Sequence, residues 1–235
     1  IGIPQIKDFL IQPADLSMVS VSEKLFRPPY KFSDKFKFVG YMRWQSSSDP
    51  ETLSRIDDFI GHDRVPVLTF GSVTFRNRDA IVRRFRENWP SDRKIIVQKG
   101  WVDFTCGNPP DNILEIGGCA HDDLFPRASV VIHHGGAGTT STALHAGVPQ
   151  IIIPHIGDQP FWSREVRRLH AGRRLSRRSW PEKLHEMVQR VESDAAMRDR
   201  CREISKILGN ENGPLNATRM LEAFAARYAE REIST

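Results

Sequence analysis

From about residue 50 onward, short apolar runs alternate with stretches whose apolar residues recur at helical spacing. Pro66–Phe70, Lys94–Val97, Asn112–Ile116, Ala128–His133 and Gln150–Ile153 are rich in β-branched residues and too short for helices, so they read as strands. Between them, Glu51–Ile60, Asn77–Trp89, Asp122–Arg127, Thr139–Ala146 and Gln159–Leu169 read as helices. Ile81, Val82, Phe85 and Trp89 share one face of the second, and Gly147 stops the fourth. Ser179–Val191, Asp194–Leu208 and Pro214–Tyr228 follow as three more helices. Strands that are apolar along their whole length are covered on both faces. With helices between them, they predict an α/β domain with a doubly wound, Rossmann-like parallel sheet. Upstream, Leu16–Val21 and Phe36–Val39 read as short strands separated by a break at Pro28-Pro29, and the polar stretch Gln45–Pro50 reads as a linker. The organisation expected is therefore residues 1–45 as a tail and linker and 46–235 as the main domain. The chain shows no internal repeat and no low-complexity tract.

Composition narrows the classes. Of 235 residues, 39% are apolar and 27% charged, which is ordinary globular usage and excludes a disordered chain. No apolar run approaches the roughly 18 residues of a membrane helix. The first residues lack an initiating Met, a basic segment and an apolar core, so no signal peptide is expected, and the chain is expected to begin inside a longer protein. Three scattered cysteines exclude a disulfide framework or a zinc cluster and suit a reducing cytosol, so a cytoplasmic location is expected.

The formal net charge of +5 suits an anionic partner without naming one. Arg164, Arg167, Arg168, Arg173, Arg174, Arg177 and Arg178 fall within one short stretch. A solvated helix face accounts for them, and so does peripheral contact with an anionic membrane through Arg164–Arg178. Without interleaved aromatics or a recognition motif, no nucleic acid is expected.

The segment Val130–Leu144 carries the most chemistry: a buried strand, the turn His133-His134-Gly135-Gly136-Ala137-Gly138, then a helix opening at Thr139-Thr140. Glycines let backbone N–H groups approach an anion, and a helix start offers unsatisfied donors and the positive end of its dipole. A plain tight turn would use the same glycines. A P-loop requires Lys after its last glycine, and Thr139 stands there instead. A dinucleotide fingerprint is matched only as far as Gly136-x-Gly138-x-x-Ser141, and its acid belongs at a strand end, whereas Asp158 follows Pro154-His-Ile-Gly.

Four motifs occur in fixed order: His121-Asp-Asp-Leu-Phe-Pro-Arg127, His133-His-Gly-Gly-Ala-Gly-Thr-Thr140, Gly147-Val-Pro149 and Gly157-Asp-Gln-Pro-Phe-Trp162. Together they resemble the C-terminal half of the GT-B family-1 glycosyltransferases, which include bacterial antibiotic and sterol glucosyltransferases and plant UDP-glycosyltransferases. The resemblance spans about residues 35–228 and is densest over 113–175. It implies the C-terminal, nucleotide-sugar-binding domain of a GT-B fold, with residues 1–34 as the tail of a missing N-terminal half.

The resemblance also implies roles. His134, Gly136, Gly138, Thr139 and Thr140 would hold the diphosphate of a UDP-sugar, with Ser72 donating from the turn after Thr69-Phe-Gly71. Asp158 and Gln159 would hydrogen-bond the sugar hydroxyls, Asp158 serving equally well as a helix cap. Trp101, Ile116, Cys119 and His121 would border the nucleoside, Ile116 standing where plant members carry a stacking Trp. His133 would be structural. The implied reaction is an inverting transfer of a hexose, with UDP-glucose the default donor and dTDP-sugars an alternative. The acceptor would be a small-molecule or lipid hydroxyl bound largely by the missing half, which would also carry the catalytic base. No cofactor and no metal are implied, in keeping with the absence of any Asp-x-Asp sequence. A non-catalytic nucleotide-sugar-binding subunit, a nucleotide-sugar epimerase and an NAD-dependent oxidoreductase are the competing readings.

Overall fold

A computed structural model describes residues 15–25, 35–44, 46–71, 77–100 and 109–233, the side chains of 228–233 excepted. The chain divides into two compact units, residues 1–44 with 207–235 and residues 45–206. The first unit holds a parallel two-stranded ribbon, β1 (Ser17–Val19) and β2 (Phe36–Phe38), in the register Ser17↔Phe36. Its last helix, Gly213–Ile233, is tied to the ribbon side where Asn216 Nδ2 donates to the Val39 carbonyl at 3.0 Å and Ser22 Oγ donates to Glu211 at 2.7 Å.

The second unit runs α1 (Pro50–Ile60), β3 (Val65–Thr69), α2 (Arg78–Asn88), β4 (Ile95–Gln98), β5 (Ile113–Ile116), α3 (His121–Leu124) with a 3-10 turn at Phe125–Arg127, β6 (Ala128–His133), α4 (Ala137–Ala146), β7 (Gln150–Ile152), α5 (Gln159–Arg168), β8 (Gly172–Arg174), α6 (Trp180–Glu192) and α7 (Ala195–Gly209). All six strands from β3 onward form one parallel sheet in the order β5-β4-β3-β6-β7-β8. That is the doubly wound arrangement expected from the apolar strands: β3 and β4 are buried at every position and β6 at all but Ser129.

Two apolar layers close the sheet. One gathers Ile56, Val67, Ile96, Ile116, Leu124, Phe125, Val131 and Ala143 into a continuous core. On α2 and α6, Phe85 and Trp180 meet with ring centroids 5.9 Å apart, and Arg84 pairs with Glu182 between the same helices. Asp49 caps α1 by accepting from Thr52 N–H at 2.9 Å, and Arg127 reaches back to Asp57 of α1 at 2.7 Å.

Two local differences from the sequence expectation have clear causes. β8 lies within Gly172-Arg-Arg174, where no apolar run announces a strand. It is an edge strand whose pairing comes from backbone bonds such as Gln150 N–H to Ala171 O and Leu175 N–H to Ile152 O, while both arginines face solvent. α4 begins at Ala137 rather than Thr139, because Gly136 itself takes the cap position and its carbonyl accepts from Thr140 N–H at 2.9 Å.

Ile132 sits at the middle of β6 with no exposed surface. Ile132→Ala should lower stability by about 2–5 kcal/mol. Urea unfolding should show a lower midpoint at an unchanged m-value.

Candidate functional site

In this strand order, β3 and β6 are neighbours whose following segments lead away in opposite directions, to β4 on one side and β7 on the other. That divergence leaves a crevice at the carboxyl ends of the strands. Thr69 and His133 face one another in register there. The next residues out are Phe70-Gly71 on one side and His134-Gly135-Gly136 on the other.

The turn is held by His133. Its side chain has no exposed surface; its Nδ1 accepts the Gly135 N–H at 3.1 Å and its Nε2 lies 2.9 Å from Gln150 Oε1. An Nδ1 that accepts from a backbone amide carries no proton, so Nε2 carries it and donates to Gln150. Burial pushes this imidazole down to about 3, so the ring is neutral. Gly135 adopts φ +92°, and a Cβ there would lie 2.6 Å from Ile152 Cγ2. A side chain at this point would clash with β7 as well as strain the backbone.

His134 turns into the crevice. It lies between Gly71, whose notional Cβ would be 3.3 Å from its Cε1, and Gly136, whose notional Cβ would be 2.5 Å from its Nε2. Among the described residues, its Nδ1 is buried without a hydrogen-bond partner. Burial lowers the basicity of His134, and the Asp158 carboxylate partly opposes that shift. The two residues therefore share the crevice electrostatically, although they belong to the ends of different strands.

α4 opens directly beyond. Gly136 gives it no side-chain cap, and its first turn contains no acid. The N–H groups of Ala137, Gly138 and Thr139 therefore have no intrahelical acceptor, at the positive end of the dipole. Ala137 and Gly138 are exposed, and a Cβ on Gly138 would meet nothing within 4 Å. Thr140 differs from the expectation: its N–H is used within the helix, and among the described residues its buried hydroxyl has no partner. Backbone donors, an imidazole edge and a helix start thus converge on one point, which is the arrangement an anion needs.

After β7, Gln159 is buried, and its Oε1 accepts from the N–H groups of His155 (2.7 Å) and Ile156 (3.0 Å). Only the NH2 end of this amide remains for a ligand. Asp158 is exposed and does not cap α5 with its side chain, contrary to the capping reading; its Oδ2 accepts from Trp162 Nε1 at 2.7 Å. Trp162 thus holds the carboxylate from one helical turn away. Asp158 to Trp162 is an i, i+4 pair, so that signal was present in the sequence. His155 is another residue that the sequence did not single out. It meets Phe70 edge-on at 5.7 Å, and burial followed by nearby Arg177 and His134 pushes it down to about 4.

The residues expected beside the nucleoside separate. His121 stacks on Phe125 at 4.4 Å and lies 3.0 Å from Gln98 Oε1. Ile116 is 1% exposed and joins the core, so it offers no face to a base. Cys119 is also in that core, its Sγ 3.2 Å from Ser48 Oγ and its thiol pushed up by burial. Ser72 and Trp101 lie outside the described residues. Among the described residues, no group of three or more His, Cys, Asp or Glu side chains is placed to hold a metal ion.

Residues 91–224 match the family described as Erythromycin biosynthesis protein CIII-like, C-terminal domain. The chain belongs to this family. It is the C-terminal half of a GT-B family-1 glycosyltransferase fold. The sterol 3-beta-glucosyltransferase of Debaryomyces hansenii is 30% identical over 239 residues, covering 92% of this chain and 15% of its own length. The sterol 3-beta-glucosyltransferase UGT80B1 of Arabidopsis thaliana is 30% identical over 188 residues, covering 74% of this chain and 29% of its own length. This chain therefore corresponds to less than a third of either relative. Among solved structures, the glycotransferase of kitacinnamycin superposes with a TM-score of 0.73 at 24% identity, covering 94% of this chain and 58% of that one. CalG4, the calicheamicin glycosyltransferase, gives 0.75 at 21% identity over 97% and 58%.

The neutral His133 makes the domain acid-sensitive. Its proton affinity is depressed in the folded state, so its contribution to stability is complete above the unfolded value near 6.5 and is lost as pH falls toward about 3. Between pH 7.5 and pH 5 this one group should cost about 2 kcal/mol. Urea midpoints measured across that range should fall, and His133→Gln should flatten the fall.

Proposed function

We propose that this chain is the donor-binding half of a metal-independent, inverting hexosyltransferase that uses a UDP-sugar, with UDP-glucose as the donor. The observation that carries the reading is the crevice between β3 and β6, where His134 and the uncapped start of α4 converge. A diphosphate leaving group accumulates negative charge as the glycosidic bond breaks, and preorganised donors at that point stabilise it. Gly136, Gly138 and Thr139 supply backbone donors, and His134 donates through its ring. Thr140 contributes its hydroxyl alone. Ser72 extends the donor set from the end of β3. On the sugar side, Asp158, held by Trp162, accepts hydroxyl protons, and Gln159 donates from its NH2 group. His121 and the nearby chain border the nucleoside.

The metal-independent part of the reading rests on the sequence. No Asp-x-Asp pair is present to bridge a divalent cation to the diphosphate, so amide and imidazole donors carry that charge. The similarity to sterol 3-beta-glucosyltransferases supports a glucosyl donor and a lipid or other small-molecule hydroxyl as acceptor. The general base that deprotonates the acceptor belongs to the part of the enzyme that the relatives carry beyond this chain.

Calorimetry with UDP and UDP-glucose tests the assignment. His134→Ala should weaken UDP itself by about tenfold or more, the usual loss for a hydrogen bond to a charged group. Asp158→Ala should leave UDP unchanged and abolish only the additional affinity of UDP-glucose. Unaltered UDP binding by His134→Ala would remove the reading.

A further inference from the structure

Beside the end of β7 the surface holds a cavity of about 910 Å³ lined by Pro154, Ser176, Met187 and six arginines, namely Arg167, Arg173, Arg174, Arg177, Arg178 and Arg190. Among the described residues, no carboxylate lines it. Two of the arginines are compensated, Arg173 by Asp194 at 3.1 Å and Arg190 by Glu186. Among the described residues, the guanidiniums of Arg167, Arg174, Arg177 and Arg178 have no acidic partner. A second cavity of about 550 Å³ shares Arg167 and Arg173 and adds Arg164, Arg168 and the carboxylate Asp194, with Arg168 paired to Glu165, so the uncompensated charge is concentrated in the first.

A run of arginines on a convex helix face would be solvated and would imply nothing. These arginines are contributed by α5, by β8 and the segment after it, and by α6, and they converge on one hollow. Like charges brought together on a concave wall repel one another and raise the local potential, a cost that an arriving anion reverses. Guanidinium forks match phosphate oxygens two at a time, and several such forks around one space select a group with several phosphate oxygens. The Ser176 hydroxyl accepts from Arg178 N–H at 3.3 Å and keeps its own proton to donate.

We propose that this cavity is a second anion site, distinct from the crevice at His134, that takes a multiply phosphorylated group, whether a free polyphosphate or a phosphorylated lipid headgroup.

The probe is inorganic tripolyphosphate, titrated calorimetrically into protein saturated with UDP and, separately, into His134→Ala protein. Tripolyphosphate should bind in both, more weakly as salt rises. Arg174→Ala with Arg178→Ala should weaken it about tenfold or more while leaving the thermal midpoint and UDP affinity unchanged. The corresponding double lysine variant keeps the charge without the forks and should recover only part of the loss. Co-sedimentation with phosphatidylcholine vesicles, with and without a phosphoinositide, separates the sources. Arginine-dependent binding to the phosphoinositide vesicles assigns a lipid headgroup, and tripolyphosphate binding without vesicle binding assigns a soluble anion. The proposal is overturned if tripolyphosphate does not bind, binds the alanine variant as tightly as the parent, or is displaced by UDP. Capture of single-stranded RNA without tripolyphosphate binding would also overturn it.

Discussion

The backbone N–H of Gly135 points at a ring nitrogen, and the working end of this sheet depends on that nitrogen staying unprotonated. His133 can accept from the turn only as a neutral imidazole with its proton on Nε2, and Gln150 of the neighbouring strand fixes that tautomer by accepting it. Burial suppresses the imidazolium, so the environment that makes the ring hard to charge also keeps the turn closed. With the turn closed, Gly136 takes its place at the head of α4, and His134 leaves the strand toward the crevice rather than into the sheet.

What surrounds that point is poor for stability and suited to a ligand. A helix start without a side-chain cap forgoes about 1 kcal/mol. Among the described residues, the buried Nδ1 of His134 and the buried hydroxyl of Thr140 have no partner, each an unfavourable group to desolvate. Such groups also occur elsewhere in the domain: among the described residues Ser163 Oγ and His185 Nδ1 are buried without a partner, and α2, α3, α5 and α6 start without a side-chain cap, whereas α1 is capped by Asp49. What distinguishes the head of α4 is its place, where the strand order diverges and a doubly wound sheet leaves room for a ligand.

Strand and helix order were legible because burial on both faces demands unbroken β-branched runs, and those runs are separated by stretches with helical periodicity. β8 was not legible, since an edge strand of Gly-Arg-Arg is specified by its neighbour's backbone and not by its own side chains. Of the candidate site, the glycine turn between β6 and α4 could be read, because a strand that passes straight into a helix through a positive φ calls for glycine at that point. Ile116 and Cys119 could not be placed from the chain, because a residue at a strand end faces either the crevice or the core. The choice depends on side-chain alternation and on packing by α1 and α3, which no local motif records. Trp162 and Gln159 show the same limit within one helix: their hydrogen bonds, one to a carboxylate and one to a turn, depend on the geometry where β7 ends.

The titration state of the histidines also bears on how the chemistry is divided. A general base for an acceptor hydroxyl needs an available lone pair and a proton affinity near the working pH. His133 has both ring nitrogens engaged and is pushed down to about 3. His155 is pushed down to about 4, and His121 is lowered by burial with its Nε2 facing Gln98. His134 is lowered as well, and it lies between two close glycines at the head of α4, on the side where a leaving group needs donors. Burial thus disfavours the charged form of all four of these histidines. In the proposed reading such a domain would hold a departing diphosphate and would deprotonate an incoming hydroxyl poorly, so that reading seeks the base outside these residues.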